Sequence, residues 1–412
     1  MITKIKNISQ LVTALGNKGV HGKAMGDLQV IENAVLISKD GTIVYAGPAD
    51  SVPSELEGAV PAEIIDAGGG CVLPGFVDSH THFVFGGYRE KEFMMRLNGA
   101  QYMEIMRMGG GIQSTVNATR QTSGEELYRL GKERLEEMLR QGITTVEGKS
   151  GYGLDLDTEL KQLAVMQALD QAQPVDIVAT YLGGHAVPTE FAGDPNGYID
   201  YMLATVLPAV KAQGVTDICD VFCEDGVFSL EESRRLLEGA RKQGFRLKMH
   251  ADEIEPMGGG GLGADLGCVS CDHLLMVDEA GEKKLADSDT IATLLPCTAF
   301  CLNKPYAPAR RLIDHNCAVA LASDFNPGSC FCNSIPMMIA LAVIHMGMTI
   351  EETLTALTLN GAAALGLADQ IGTLEEGKKA DAVILKYPDY RFLVYHTGSN
   401  VVDRVIKNGH LV

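Results

Sequence analysis

The chain has 412 residues, 46% of them apolar, with 34 basic against 53 acidic side chains and a formal charge of −19. That length exceeds one small domain and supplies ample core material, so one large domain with a smaller satellite is expected. So acidic a surface repels phosphate backbones and anionic lipid, which argues against nucleic acid and membrane surfaces as partners.

At the N-terminus, Met1 to Gln10 mixes Lys4 and Lys6 with polar residues and shows no apolar leader segment. Short strands and turns follow: Val30 to Ile37, the turn Lys39-Asp40-Gly41-Thr42, then Ile43 to Ala46. From about residue 71 short β-branched runs alternate with helical patterns. The runs are Gly75 to His82, Thr144 to Lys149, Asp176 to Leu182, Asp217 to Phe222, Arg246 to His250, Val269 to His273, Thr290 to Leu295 and Ala318 to Asp324. Helices are expected over Glu125 to Gln141, Thr158 to Gln171, Tyr198 to Gln213, Ser229 to Gln243 and Glu279 to Leu285. Eight such units predict an α/β chain folded as a (β/α)8 TIM-like barrel.

No run reaches the roughly 18 uninterrupted apolar residues of a membrane helix, since Ile335 to Met346 is broken by Pro336 and His345. The last segment returns to strands, Ala382 to Leu385 and Val401 to Ile406, with Asn408-Gly409 as a hairpin turn. The expected division is 71-365 for the barrel and 1-70 plus 366-412 for a composite β-sandwich, because neither end alone buries much apolar surface. Ten scattered cysteines without zinc-finger spacing suggest reduced thiols and a cytoplasmic location.

In a barrel the chemistry sits where strands end. The first strand ends Asp78-Ser79-His80-Thr81-His82. Residues two apart on a strand face one side, so His80 and His82 can grip one ion. The fifth ends His250-Ala251-Asp252-Glu253, which offers a third imidazole and a carboxylate placed to take a proton from water. The eighth supplies Asp324 as a fourth ligand, or as a carboxylate touching the water. Three His and one Asp leave a position for water, as catalytic zinc sites do. His273, 23 residues beyond His250, ends the adjacent strand and can stabilise an oxyanion or shuttle a proton.

Leu73 to His82, His250 to Glu253 and Ser323 to Ser329 together resemble the amidohydrolase superfamily. Longer strings are similar to the imidazolonepropionase family within it: Phe85 to Glu90, Gly109-Gly110-Gly111-Ile112, Lys149 to Leu154, Gly184 to Pro188 and Asp324 to Ser329. The resemblance runs almost end to end. It implies hydrolysis of 4-imidazolone-5-propanoate to N-formimidoyl-L-glutamate, the third step of histidine degradation. It implies a single zinc or iron ion on His80, His82, His250 and Asp324, with Glu253 and His273 as the catalytic pair. It places Arg89, Tyr152, His185, Asn326, Gly328 and Ser329 around the substrate, and it suggests a homodimer.

The residue chemistry agrees with these roles. Arg89 can bind the substrate's carboxylate through two parallel N–H bonds. Tyr152 sits on a glycine-flanked turn suited to a lid or wall, and His185 can donate to the ring. Gly328 and Ser329 offer N–H groups and a hydroxyl to an anion. Glu147-Gly148-Lys149 and Leu182-Gly183-Gly184 depart from the pattern expected of the family, and Cys301, Cys330 and Cys332 fall near the predicted mouth.

Three alternatives stay open. One is a different cyclic amidohydrolase or an aminohydrolase acting on a purine or pyrimidine, because fold and metal site do not fix a substrate. Another is a two-metal site recruiting Glu224 or Lys149. The third is a non-catalytic metal-binding scaffold.

Overall fold

The structure is a computed structural model, and it describes residues 1–58, 60–100 and 110–412. Gly109, the first residue of one family-like string, lies outside them.

The N-terminal strands are β1 (Ile2–Thr13), β2 (Gln29–Lys39), β3 (Thr42–Pro48), β4 (Glu63–Asp66) and β5 (Val72–Pro74). Asp40 and Gly41 join β2 to β3 with φ of 50° and 81°, the left-handed pair a two-residue hairpin requires.

Eight strands then run parallel in sequence order: β6 (Phe76–Asp78), β7 (Ile143–Lys149), β8 (Asp176–Gly184), β9 (Ile218–Cys223), β10 (Arg246–Ala251), β11 (Ser270–His273), β12 (Ile291–Leu294) and β13 (Val319–Leu321). The first and last are shorter than their apolar runs predict. Beyond Asp78 and Leu321 the chain leaves the ladder, and the two ends close on each other. Asp324 N donates to His80 O at 3.0 Å and His82 N to Phe325 O at 2.9 Å, while Ser323 N donates to the Asp78 carboxylate at 2.9 Å. The barrel therefore seals at the two stretches that carry His80, His82 and Asp324.

Helices cover the barrel with caps that their sequences announce. Ser123 Oγ accepts from Glu126 N ahead of Gly124–Arg140, Asp155 from Thr158 N ahead of Leu156–Ala172, and Ser229 forms a capping box with Glu232. The helix expected over Tyr198 to Gln213 has a wide turn at Met202–Val206 between Pro195–Tyr201 and Leu207–Gln213. Pro208 lacks the N–H that a regular ladder needs there, which accounts for the widening.

The C-terminal strands β14 (Ala382–Leu385), β15 (Val402–Lys407) and β16 (His410–Leu411) join β1–β5 in one mixed sheet, ordered β16-β15-β14-β5-β1-β2-β3 with β4 on β1. The junction is β5 against β14, antiparallel with Leu73 opposite Val383. Ile5, Ile8, Leu11, Leu36 and Ile65 from one end pack with Ile384 and Ile406 from the other. Each end supplies what the other lacks to bury an apolar face, so the two share one sheet and one apolar cluster.

Candidate functional site

Thr81, between the two histidines, turns outward and donates to Glu147 O at 2.6 Å. His80 and His82 turn inward, and each Nε2 stands 3.5 Å from Asp324 Oδ1. β10 delivers His250, whose ring centre lies 4.5 Å from that of His80 and 5.6 Å from that of His82. Asp324 adopts φ 52°, an uncommon conformation for a side-chain-bearing residue, and Thr298 Oγ1 holds its other oxygen at 2.7 Å.

The candidate ligand atoms of His80, His82 and Asp324 lie within 4.8 Å of one another, and so do those of His80, His250 and His273. His80 Nε2, both nitrogens of His250, His82 Nδ1 and His273 Nδ1 are buried without a hydrogen-bond partner among the described residues. Burial, then neighbouring positive groups, pushes His80, His82 and His250 well below the usual imidazole range. Neutral imidazoles with free lone pairs around one carboxylate are a donor set that fits a borderline divalent metal. Burial raises Asp324 to about 7, an uncompensated acid that a cation would hold ionised.

A buried charge layer lies beneath. His80 Nδ1 donates to Asp272 Oδ2 at 2.6 Å, which leaves Nε2 as the metal-facing lone pair. Burial opposes ionisation of Asp272, yet Lys248 and Lys149 hold its pKa below the usual value. Lys149 Nζ lies 2.7 Å from Asp220, 3.0 Å from Glu147 and 3.5 Å from Asp272. Lys248 Nζ donates to Glu147 at 2.7 Å and to Ser79 O at 3.0 Å. Asp220 Oδ2 is 3.0 Å from His250 Nδ1 but out of line for a hydrogen bond. Lys149, considered from sequence as a second-metal residue, is instead an ion-pair partner. The alternating polar residues on β7, β9 and β10 were the only sequence signal of this layer.

Above the cradle, Glu253 follows β10 and His273 ends β11, with Oε2 and Nε2 3.6 Å apart. Burial, then Asp324 and Glu224, raises Glu253 to about 8. Burial lowers His273 to about 3 and His185 to about 4. His185 stacks on His82 with ring centres 4.9 Å apart and has its Nδ1 3.1 Å from Gly151 O. Tyr152 is a buried wall, 5.7 Å from His82 and 5.2 Å from His185 between ring centres. Its turn is built around Glu159, whose carboxylate accepts from the N–H groups of Gly151, Gly153 and Leu154 at 2.8–3.1 Å. Gly151 at φ 100° is required there, since a Cβ would stand 2.7 Å from Leu182 O. Sequence reasoning missed Glu159, which reads simply as a helical residue.

Arg89 does not stand free: its Nε and one terminal nitrogen donate to Glu92 at 3.0 and 2.8 Å. Its guanidinium lies against Gly328, where a Cβ would fall 2.1 Å from Nη1. The expectation that Gly328 and Ser329 offer backbone N–H groups to an anion needs correction. Both donate at 2.8 Å to Asn326 Oδ1, while Asn326 Nδ2 donates to Asp324 O and Ser329 Oγ. An Asn five residues beyond the end of β13 folds the loop back on itself, which satisfies those donors internally. The loop is thereby a shaped wall behind Asp324.

Glu224 accepts backbone N–H groups of residues 254 and 255 and belongs to no candidate metal group among the described residues. Cys330 and Cys332 pack beneath the Asp324 loop, Cys330 Sγ 3.4 Å from Ser323 O and Cys332 Sγ 3.8 Å from Met337 Sδ. At Gly148, one of the unexpected residues, a Cβ would meet Phe83 at 2.7 Å and Met166 at 3.0 Å, so these larger neighbours require glycine.

The amidohydrolase family profile matches residues 71–412. An imidazolonepropionase of Parabacteroides distasonis is 58% identical, covering 99% of this chain and 98% of its own length. Those of Porphyromonas gingivalis and Clostridium tetani are 54% and 53% identical, each covering 99% of this chain and 96% and 97% of their own. Among solved structures, a triazine hydrolase variant superposes with a TM-score of 0.76 at 16% identity, covering 100% of this chain and 94% of its own. A zinc-bound adenosine deaminase of Xanthomonas campestris follows at 0.72 and 18%, covering 99% and 92%. The structural likenesses speak for the barrel with its flanking sheet, and the sequence likenesses are closer: the chain belongs to the amidohydrolase family and, within it, to the imidazolonepropionases.

Proposed function

We propose that this chain hydrolyses the ring amide C–N bond of 4-imidazolone-5-propanoate to N-formimidoyl-L-glutamate, using one zinc or iron ion held by His80, His82, His250 and Asp324. The observation that carries this reading is the gathering of buried imidazole nitrogens around His80, with His82 and Asp324 on one side, His250 and His273 on the other, and Glu253 beside His273. The relatives' shared name supports the substrate. When bound, such a metal acts as a Lewis acid that lowers the pKa of a coordinated water from ~15.7 toward ~7.

The residues divide the remaining work. Glu253, whose burial raises its proton affinity, accepts the proton of the attacking water as oxygen bonds to the ring carbonyl carbon. It returns that proton to the ring nitrogen as the C–N bond breaks. His273 stays neutral at working pH and can donate to the developing oxyanion. His185, stacked on His82, orients the ring, and Tyr152 walls it from water. Arg89 holds the propionate by exchanging part of its bond to Glu92 for the substrate carboxylate. Ten free cysteines agree with work in the cytoplasm. A two-fold homodimer completes the reading and is measured by light scattering.

The test follows loss of the substrate's ultraviolet absorbance in metal-loaded enzyme. Glu253→Gln should lower kcat by roughly 10²–10⁴-fold. Near-normal turnover in that variant with full metal content would sink the base assignment. No turnover by the loaded wild type would move the substrate to another cyclic amide or amidine.

A further inference from the structure

Glu253 lies in a stretch with no regular structure behind it. Residues 254–256 are solvent-exposed, and the next helix begins at Gly259. A general base on such a segment needs its backbone held, or its carboxylate wanders from the reacting atoms. Two buried carboxylates flank it. Asp252 takes φ 51° and accepts from the N–H groups of Gly258, Gly259 and Gly260 at 2.8–3.0 Å, closing the far side of the loop. Glu224, just past the end of β9, accepts from Ile254 N at 2.8 Å on one oxygen and from Glu255 N at 3.1 Å on the other. Its own position is fixed by Asp225 N at 3.0 Å on that second oxygen and by its backbone N bonded to Phe228 O at 3.1 Å. Asp252 secures residues downstream of the loop, whereas Glu224 reaches across from a neighbouring strand to the two residues directly after Glu253.

We propose that Glu224 is a positioning residue for Glu253: it fixes the peptide units of Ile254 and Glu255 and thereby aims the Glu253 carboxylate toward His273. This rests on the reading of Glu253 as the base. A carboxylate suits the task because both oxygens accept. Glutamine would turn an amide N–H toward a peptide N–H on one side and break one of the two anchors.

The experiment uses the metal-loaded full-length enzyme and three variants: Glu224→Gln, Glu253→Gln and the double variant. Backbone amide exchange at Ile254 and Glu255 should accelerate in Glu224→Gln while that of Gly258 to Gly260 stays slow. With imidazolonepropionate as the probe, kcat should fall roughly 10- to 100-fold, with KM, metal content and melting midpoint close to wild type. In the Glu253→Gln background the second change should cost almost nothing, since there is no base left to aim. Unaltered amide exchange would overturn the proposal, as would a rise in KM at constant kcat or full additivity in the double variant. A Glu253→Gln variant with normal turnover would instead remove the base reading itself, and that outcome is visible without Glu224→Gln.

Discussion

Replacing Lys149 with Met probes whether the buried charge layer holds the imidazole cradle in place. Lys149, Glu147, Asp220 and Asp272 are all fully buried, and Lys248 is their other ammonium partner. Two cations thus face three carboxylates, and Lys149→Met leaves one cation against three. Methionine fills nearly the same volume, so the loss is electrostatic rather than a cavity. Removing one member of a buried ion group costs about 3–5 kcal/mol, a large part of a total stability of about 5–15 kcal/mol. The same change removes one of the two ammonium groups beside Asp272, which orients His80 through Nδ1, and weakening such a supporting contact costs up to about 10- to 100-fold in metal affinity. Urea unfolding measures the first effect, and competition with a chromophoric chelator measures the second. Adding Asp220→Asn removes one of the stranded carboxylates and should recover part of the stability. A Lys149→Met protein within about 1 kcal/mol of wild type, with unchanged metal affinity, would refute the reasoning.

Gly328→Ala places a methyl group on the Arg89 guanidinium without straining the backbone. Displacing one charge-assisted hydrogen bond worth about 1.5–3 kcal/mol should raise KM roughly 10- to 100-fold with kcat little changed. Steady-state kinetics decide it, and an unchanged KM counts against Arg89 as the propionate anchor. Metal removal should expose a pH dependence. The folded pKa values of Asp324 and Glu253 are raised to about 7 and about 8, above their unfolded values. The stability they contribute is present at low pH and is lost as pH rises through 7 and 8. Above about pH 7 the cleft imidazoles are largely neutral in both states, and with Asp324 already half ionised at its folded pKa the loss for the two carboxyls is about 1–2 kcal/mol per pH unit, fading above pH 8. A bound cation favours the ionised carboxylates, so chelated protein should weaken between about pH 7 and 8 and level off above that, while loaded protein should not. Equal slopes with and without metal, measured by urea titration, would contradict the assignment.

Much of the molecule follows from short-range rules that sequence alone carries. Period-two alternation puts His80 and His82 on one face, and Asp40-Gly41 and Asn408-Gly409 supply left-handed turns wherever the rest of the chain lies. Alternating β-branched runs and capped helices determine a parallel barrel, whose geometry collects strand-end residues such as His250, Glu253 and Asp324 at one mouth. What tertiary structure alone decided are the partners of buried charges. His80 and Asp272 are 192 positions apart, and Glu224 meets the loop after Glu253 at a distance of 30. Lys149 reads the same in sequence whether it binds metal or neutralises carboxylates. Asn326 reads in sequence as a substrate contact, and only the fold shows that its side chain also bonds its own loop. A buried polar group must be satisfied by whichever donor or acceptor the fold brings near it, and that choice depends on strand order and loop closure rather than on local spacing.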